Sequence, residues 1–278
     1  MAGQFWLSMA CPLFFNMITQ FCNGWFPDNE RTLATALCGI SIPLGNLLAF
    51  LMSGFMFQGI KEANPQEARH LVDRMIWTQN IWITAITVPY FILLREKPAL
   101  DVPLTARPEA SNLSYFQKLR LALKNRNYVL LSVTYALMIG MNTAFGISVD
   151  PIFGPLGFTN FDIAVLGVCV VAGGVCSSMV SGFLLKAYRK YLVMTRVSCF
   201  GCAALLFAAI ITFQTGDKKL ISLNMILAAV FLVPIIPIGI NFANELTFPL
   251  DETVTQGSML MLSQLFGFIL ANICIVLA

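Results

Sequence analysis

Eight long stretches of the chain are almost without charge, and the polar runs that separate them are short or punctuated by proline. The stretches cover residues 4–25, 33–57, 75–94, 127–149, 163–186, 191–213, 220–242 and 254–278. About 20 mainly apolar residues, at a rise of about 1.5 Å each, cross the hydrocarbon core of a bilayer. Each stretch therefore predicts one transmembrane helix, numbered here as spans one to eight. Nearly all charge lies between them, in Asp28 to Arg31, Lys61 to Arg74, Arg95 to Arg126, Lys186 to Lys190, Asp217 to Lys219 and Glu245 to Glu252. The pattern is that of an all-α, polytopic membrane protein. Composition agrees, since 58% of residues are hydrophobic, 11% are charged and the mean hydropathy is +0.77. A soluble domain carries roughly a quarter charged residues to wet its surface.

The basic residues orient the spans. Arg31, Arg95, Lys97, Arg107, Lys118, Arg120, Lys124, Arg126, Lys186, Arg189, Lys190 and Arg196 fall on one side, twelve against the five of Lys61, Arg69, Arg74, Lys218 and Lys219 on the other. By the positive-inside rule the first set is cytoplasmic. The first span then enters from outside and the last one exits outward. The net charge of +3 is small and dispersed, so no nucleic-acid partner is expected. Met1 to Trp25 lacks the basic n-region of a cleavable signal.

The longest connection, Arg95 to Arg126, is basic and contains Pro98, Pro103 and Pro108. Within it, Ser114 to Asn125 reads as a short amphipathic helix, either at the headgroup interface or in a solvated linker. It divides the chain into a partial N-terminal bundle (1–94), a cytoplasmic linker (95–126) and a C-terminal bundle (127–278).

In the fifth span Gly174, Ser178 and Gly182 recur every fourth residue beside Gly173, Ser177 and Ser181, a spacing that lets two helices approach closely. Pro43 in the second span, and Pro234 with Pro237 in the seventh, predict bends. The eight cysteines, Cys11, Cys22, Cys38, Cys169, Cys176, Cys199, Cys202 and Cys274, all lie in apolar runs. Cys199 and Cys202 have CxxC spacing, but no third ligand is near, so they read as packing residues. No metal or other cofactor is expected.

A repeat joins the two ends of the chain. Phe26, Pro27 and Glu30 return 222 residues later as Phe248, Pro249 and Glu252, with Asn29 opposite Asp251. At the same offset Ser41, Gly45, Leu48 and Ala49 return as Ser263, Gly267, Leu270 and Ala271. Two helix–hinge–helix units with one spacing predict an internal duplication, as membrane transporters often show.

Four segments in order resemble the major facilitator superfamily and, within it, the transporters related to the feline leukaemia virus subgroup C receptor (FLVCR-related). They are Trp25-Phe-Pro-Asp-Asn-Glu-Arg31 with Ala34; Tyr135-Ala-Leu-Met-Ile-Gly140; Val170-Val-Ala-Gly-Gly-Val with Ser181-Gly-Phe-Leu-Leu; and Glu245-Leu-Thr-Phe-Pro with Glu252, Gly257 and Gln264-Leu-Phe-Gly267. The resemblance implies that the spans are helices four to eleven of a twelve-helix fold, so that the chain is a fragment with 8 transmembrane helices of a major-facilitator fold. The full-length protein is then expected to be a monomer in the plasma membrane rather than an organelle. The resemblance also implies a small-molecule substrate of choline/ethanolamine or haem type. Three positions depart from the choline-transporting members: Pro43 stands where they have Gln, Thr143 where they have Tyr, and Lys186 where they have Asp. The helix-eleven Gln is kept, as Gln264.

Gln264 lies mid-span, where an amide must find partners. It is expected to bind substrate together with Asn142 and Thr143, which lie beside Gly140. No ionisable side chain falls at mid-depth, where a charge costs at least ~2.5 kcal/mol. This points to a neutral or cationic solute read by amides and aromatics. Glu245, Glu252 and Glu30, within reach of Arg31, Lys186, Arg189 and Arg196, are expected to form a cytoplasmic gate of ion pairs. Asp28 is expected to cap span two, and Asp251 or Thr253 span eight. Solute transport by alternating access is thus the leading reading, with a non-transporting membrane receptor or scaffold as the alternative. The chain does not read as an enzyme: its one histidine, His70, lies in an outer loop, and no nucleophile–base pair is in view.

Overall fold

Proline starts the first long helix. Pro27, extended at φ −65° and ψ 161°, precedes α1 (Asp28–Met56). The computed structural model describes residues 17–18, 21–22, 25–57, 65–93, 113–188 and 190–277. Eight further helices follow: α2 (Pro65–Leu93), α3 (Tyr115–Lys124), α4 (Arg126–Phe153), α5 (Asn160–Tyr188), α6 (Tyr191–Thr215), α7 (Lys218–Leu232), α8 (Ile235–Thr247) and α9 (Glu252–Leu277). No strand occurs among the described residues.

The helix ends follow from local side-chain chemistry. Asn125 Oδ1 accepts from the Asn127 and Tyr128 amides and starts α4. Thr159 and Asp162 form a reciprocal capping box at the start of α5 (2.9 and 3.2 Å). Asp217 accepts from the Lys219 amide at α7, and Gly216, at φ 66°, supplies the left-handed turn that ends α6. Asp251 caps α9 through the Thr253 amide (3.0 Å), as expected. The expected Asp28 cap is corrected: α1 already includes Asp28, so the capping position falls to Pro27, which has no side-chain acceptor.

Six of the described helical stretches are long and apolar enough to cross a membrane: Leu37–Met56, Arg126–Phe153, Asn160–Leu185, Tyr191–Thr215, Lys218–Thr247 and Glu252–Val276. They coincide with spans two and four to eight. Most of span one lies outside the described residues. Span three forms the second half of α2, which is not one of the six; Thr78, Gln79 and Asn80 dilute its apolar run. In span seven α7 ends at Leu232 and α8 begins at Ile235, but Val233 and Pro234 between them keep right-handed helical angles, so Lys218–Thr247 remains one candidate crossing with an interruption at the proline. Pro43, by contrast, lies inside α1 without interrupting it.

Packing centres on α4. Tyr128, Leu131, Tyr135, Ile235 and Met259 gather α4, α8 and α9 into one core. A second core, around Phe153, Leu166 and Ile221, joins α4, α5 and α7. The small residues of α5 are used over only part of their length. A methyl on Gly174 would lie 2.5 Å from the Val233 side chain, whereas one on Gly182 would meet nothing within 4 Å. Phe183, Phe200, Phe207 and Met261 remain exposed, as an outer surface facing lipid requires.

Candidate functional site

Helices α4 and α9 approach most closely where two glycines face each other. A Cβ added to Gly140 would lie 2.9 Å from the Gly267 nitrogen and 3.0 Å from the Phe266 Cβ. One added to Gly267 would lie 3.1 Å from the Thr143 Cβ. Thr143 therefore packs into the crossing, with Oγ1 donating to the Ile139 carbonyl at 3.1 Å. Asn142, one residue earlier, points about 100° away round the helix and is half-buried. Gln264 begins the turn that ends at Gly267, but its side chain is exposed at the edge of the crossing. The structure thus brings Thr143 beside Gly267, leaves Gln264 open near them, and turns Asn142 away from Thr143.

The hinge end of the bundle is more polar. Tyr128 Oη donates to the Thr255 carbonyl (2.8 Å) and lies 2.7 Å from Ser258 Oγ, tying α4 to the first turn of α9. Asn125 Nδ2 donates to the Leu246 carbonyl at 2.8 Å, and Lys118 pairs with Asp251 at 3.7 Å. The linker helix α3 is therefore fastened to the Leu246–Asp251 hinge. Next to that hinge, Lys190, Tyr191, Leu192, Val193, Phe242 and Glu245 line a shallow hollow of about 320 Å³. The Tyr191 and Phe242 rings stack there, centroids 5.8 Å apart and planes 9° apart.

Of the expected gate residues, Glu245 opens into this hollow and shares it with Lys190. Glu30 is exposed in the first turn of α1, and Glu252 is half-buried in that of α9. The Arg31 and Lys186 side chains, and all of Arg189, lie outside the described residues. Residue-by-residue reading overlooked the Tyr191–Phe242 stack and the Asn125 bridge. Tyr191 opens a helix four residues before Thr195, and Asn125 stands just ahead of an apolar run; both carry a local signal, but neither reveals its distant partner.

At the opposite end, α1 meets α5. Gly54 abuts the Ala164 Cβ, and a methyl on Gly167 would lie 2.5 Å from the Phe50 ring. Further along the same faces the contact is lost. Gly39 lies eleven residues before Phe50 and Gly182 eighteen after Ala164, each close to the same helix face, and among the described residues neither has a neighbouring atom within 4 Å of an added methyl. At the hinge end these two positions of α1 and α5 therefore make no contact with a described residue. Lys218, at the start of α7, steadies the far end by donating to the Gly157 carbonyl, approaching Asp162 (3.8 Å) and lying over the Phe158 ring (5.4 Å). Among the described residues, no group of three or more His, Cys, Asp or Glu side chains could hold a metal ion.

Comparison with known proteins places these features in a family. The family model of the Major Facilitator Superfamily matches residues 1–273. Solute carrier family 49 member A3 of Xenopus tropicalis is 25% identical over 96% of this chain and 54% of its own length. The choline/ethanolamine transporter FLVCR2 of Homo sapiens is 24% identical over 96% of this chain and 51% of its own. Choline/ethanolamine transporter flvcr2a of Danio rerio is 24% identical over 96% of this chain and 57% of its own. The chain spans about half the length of the curated relatives it matches. Its apolar helices and the family match together make it an integral, multi-pass membrane protein, and the chain belongs to the Major Facilitator Superfamily.

Proposed function

We propose that the chain is part of a solute transporter that moves a small organic molecule by alternating access. The observation that carries this reading is the one-ended contact of α1 with α5: Phe50, Gly54, Ala164 and Gly167 pack at one end, while Gly39 and Gly182 meet no described atom at the other. Two bundles in contact at one end only are one half of a rocking cycle about a midplane site. A scaffold protein needs no such asymmetry. With the basic loops placed inside, the closed end is the outer one and the conformation faces inward. The bundles divide as 1–94 and 127–278, and the membrane is the plasma membrane. Gln264, Asn142 and Thr143 serve the substrate path, and Glu245, Glu252, Glu30, Arg31 and Arg189 serve the inner gate.

Choline and ethanolamine, named for the relatives, are the first solutes to test on the full-length protein, with haem-type solutes next. The stacked Tyr191 and Phe242 rings beside Glu245 suit a passing organic cation. The experiment is a Gly54→Cys/Ala164→Cys pair in a full-length, cysteine-free background, reconstituted in vesicles. Oxidation is expected to lock the outer end and stop uptake, and reductant to restore it. Complete cross-linking with unchanged uptake would refute alternating access at this contact.

A further inference from the structure

We infer that α3 is a membrane-surface anchor whose free face binds the anionic phospholipid headgroups of the leaflet next to the basic loops. Position comes first. α3 is joined to α4 by the single extended residue Asn125 (φ −79°, ψ 105°), and α4 is apolar enough to cross the membrane from Arg126 onward. With one residue between them, and with Lys118 held at Asp251 just ahead of α9, the ten-residue helix stays at the end of the bundle where α4 enters the membrane.

Rotation about the axis is also held. Ala122, 1% exposed, packs into the core beside Tyr128, while Lys118, 15% exposed, pairs with Asp251. At about 100° per residue, Phe116 and Leu123 project from one stripe roughly a quarter turn or more away from that inner face. They are 77% and 53% exposed, although both are large and apolar. Next round the helix come Arg120 and Lys124, both exposed, followed in the chain by Arg126. None of the three makes an ion pair with a described residue. No Asp or Glu occurs from Ala110 to Val149 to balance them.

An apolar stripe bordered by cations that pair with no described residue suits the boundary between headgroups and acyl chains. The cations gain from anionic lipid there and lose that gain within a Debye length of the surface. A soluble phosphate would satisfy the arginine and lysine but leave Phe116 and Leu123 in water. A lipid surface satisfies both. The inference concerns lipid contact alone and stands apart from the transport reading.

The test uses the full-length protein without native cysteines, labelled with bimane at Phe116→Cys or Leu121→Cys, the latter on a different face of α3. Each is reconstituted in phosphatidylcholine vesicles with and without phosphatidylserine. For Phe116→Cys, phosphatidylserine is expected to shift emission to the blue, raise quenching by brominated lipid several-fold and cut quenching by aqueous iodide. High salt and Arg120→Gln/Lys124→Gln each return it toward the phosphatidylcholine value, while Leu121→Cys stays open to iodide. Soluble glycerophosphoserine is expected to change nothing. Iodide quenching at Phe116→Cys that is indifferent to phosphatidylserine would overturn the inference, as would equal behaviour of the two labels, or a full lipid response in the double variant.

Discussion

Adding one methyl at Gly140 tests whether the α4–α9 crossing is as tight as its geometry demands. In Gly140→Ala the new Cβ would lie 2.9 Å from the Gly267 nitrogen, 3.0 Å from the Phe266 Cβ and 3.1 Å from the Phe266 carbonyl carbon. Two of these three neighbours are backbone atoms of a long helix, so no rotamer change relieves the clash. The helices must separate, and overpacking of this kind costs about 1–3 kcal/mol. Alanine offsets up to about 1 kcal/mol through its better helix propensity. A net loss of about 1–2 kcal/mol, or about 5–30-fold in the folded-to-unfolded ratio, is expected. Gly267→Ala should cost less, because its methyl meets the Thr143 side chain at 3.1 and 3.2 Å, and Thr143→Ser should partly rescue it. Gly146, on the same helix, has nothing within 4 Å, so Gly146→Ala should be neutral or stabilising. Thermal unfolding of the purified full-length variants, read by size-exclusion fluorescence, gives the order. Gly140→Ala as stable as the parent, or no more harmful than Gly146→Ala, would refute the reasoning.

Asn125→Ala removes an N-cap and the bond to the Leu246 carbonyl, and should cost about 1–2 kcal/mol. Asn125→Asp keeps the cap but loses the donor, so its denaturation midpoint should fall between those of Asn125→Ala and the parent. Lys218→Met should cost under about 1 kcal/mol, because the Asp162 pair is roughly half exposed on both sides; a larger drop in thermal stability would mean that the Gly157 loop depends on it more than its exposure implies. Glu245→Gln in the full-length protein should shift cavity-cysteine accessibility toward the inner side, and unchanged labelling and uptake would remove Glu245 from the gate. Gln264→Ala should raise the KM for transported solute several-fold while leaving surface expression unchanged, and an unaltered KM would take Gln264 out of the substrate path.

The legible part of this molecule is the part written locally. Helix α6 was expected over 191–213 and runs over Tyr191–Thr215, because an apolar run bounded by Lys190 and by Gly216–Asp217 carries both of its ends. Asp251 was readable as a cap for the same reason. The choice of partner was not. Gly174 and Gly182 look alike in the sequence, yet Val233 packs on the first and nothing on the second, since the path of α7 decides which half of α5 is covered. Pro234 announces a disturbance without saying whether the helix bends or breaks. Asn142 and Thr143 are adjacent in sequence, and only the packing of α9 on α4 decides that the Gly267 contact goes to Thr143. Exposure of Gln264 depends on how α9 rolls against α4, which no single-helix pattern encodes.

Asn125 also bears on where this polypeptide can be cut. Its amide serves the start of one helix and the end of another 121 residues further along, and it follows directly on α3. Two separately expressed pieces parted just ahead of Ser114 would leave that amide, together with the Lys118–Asp251 pair, in the second piece. Parted at 127, the same piece would begin with an uncapped helix and a bare Leu246 carbonyl. The earlier seam is the one at which reassembly from halves should succeed.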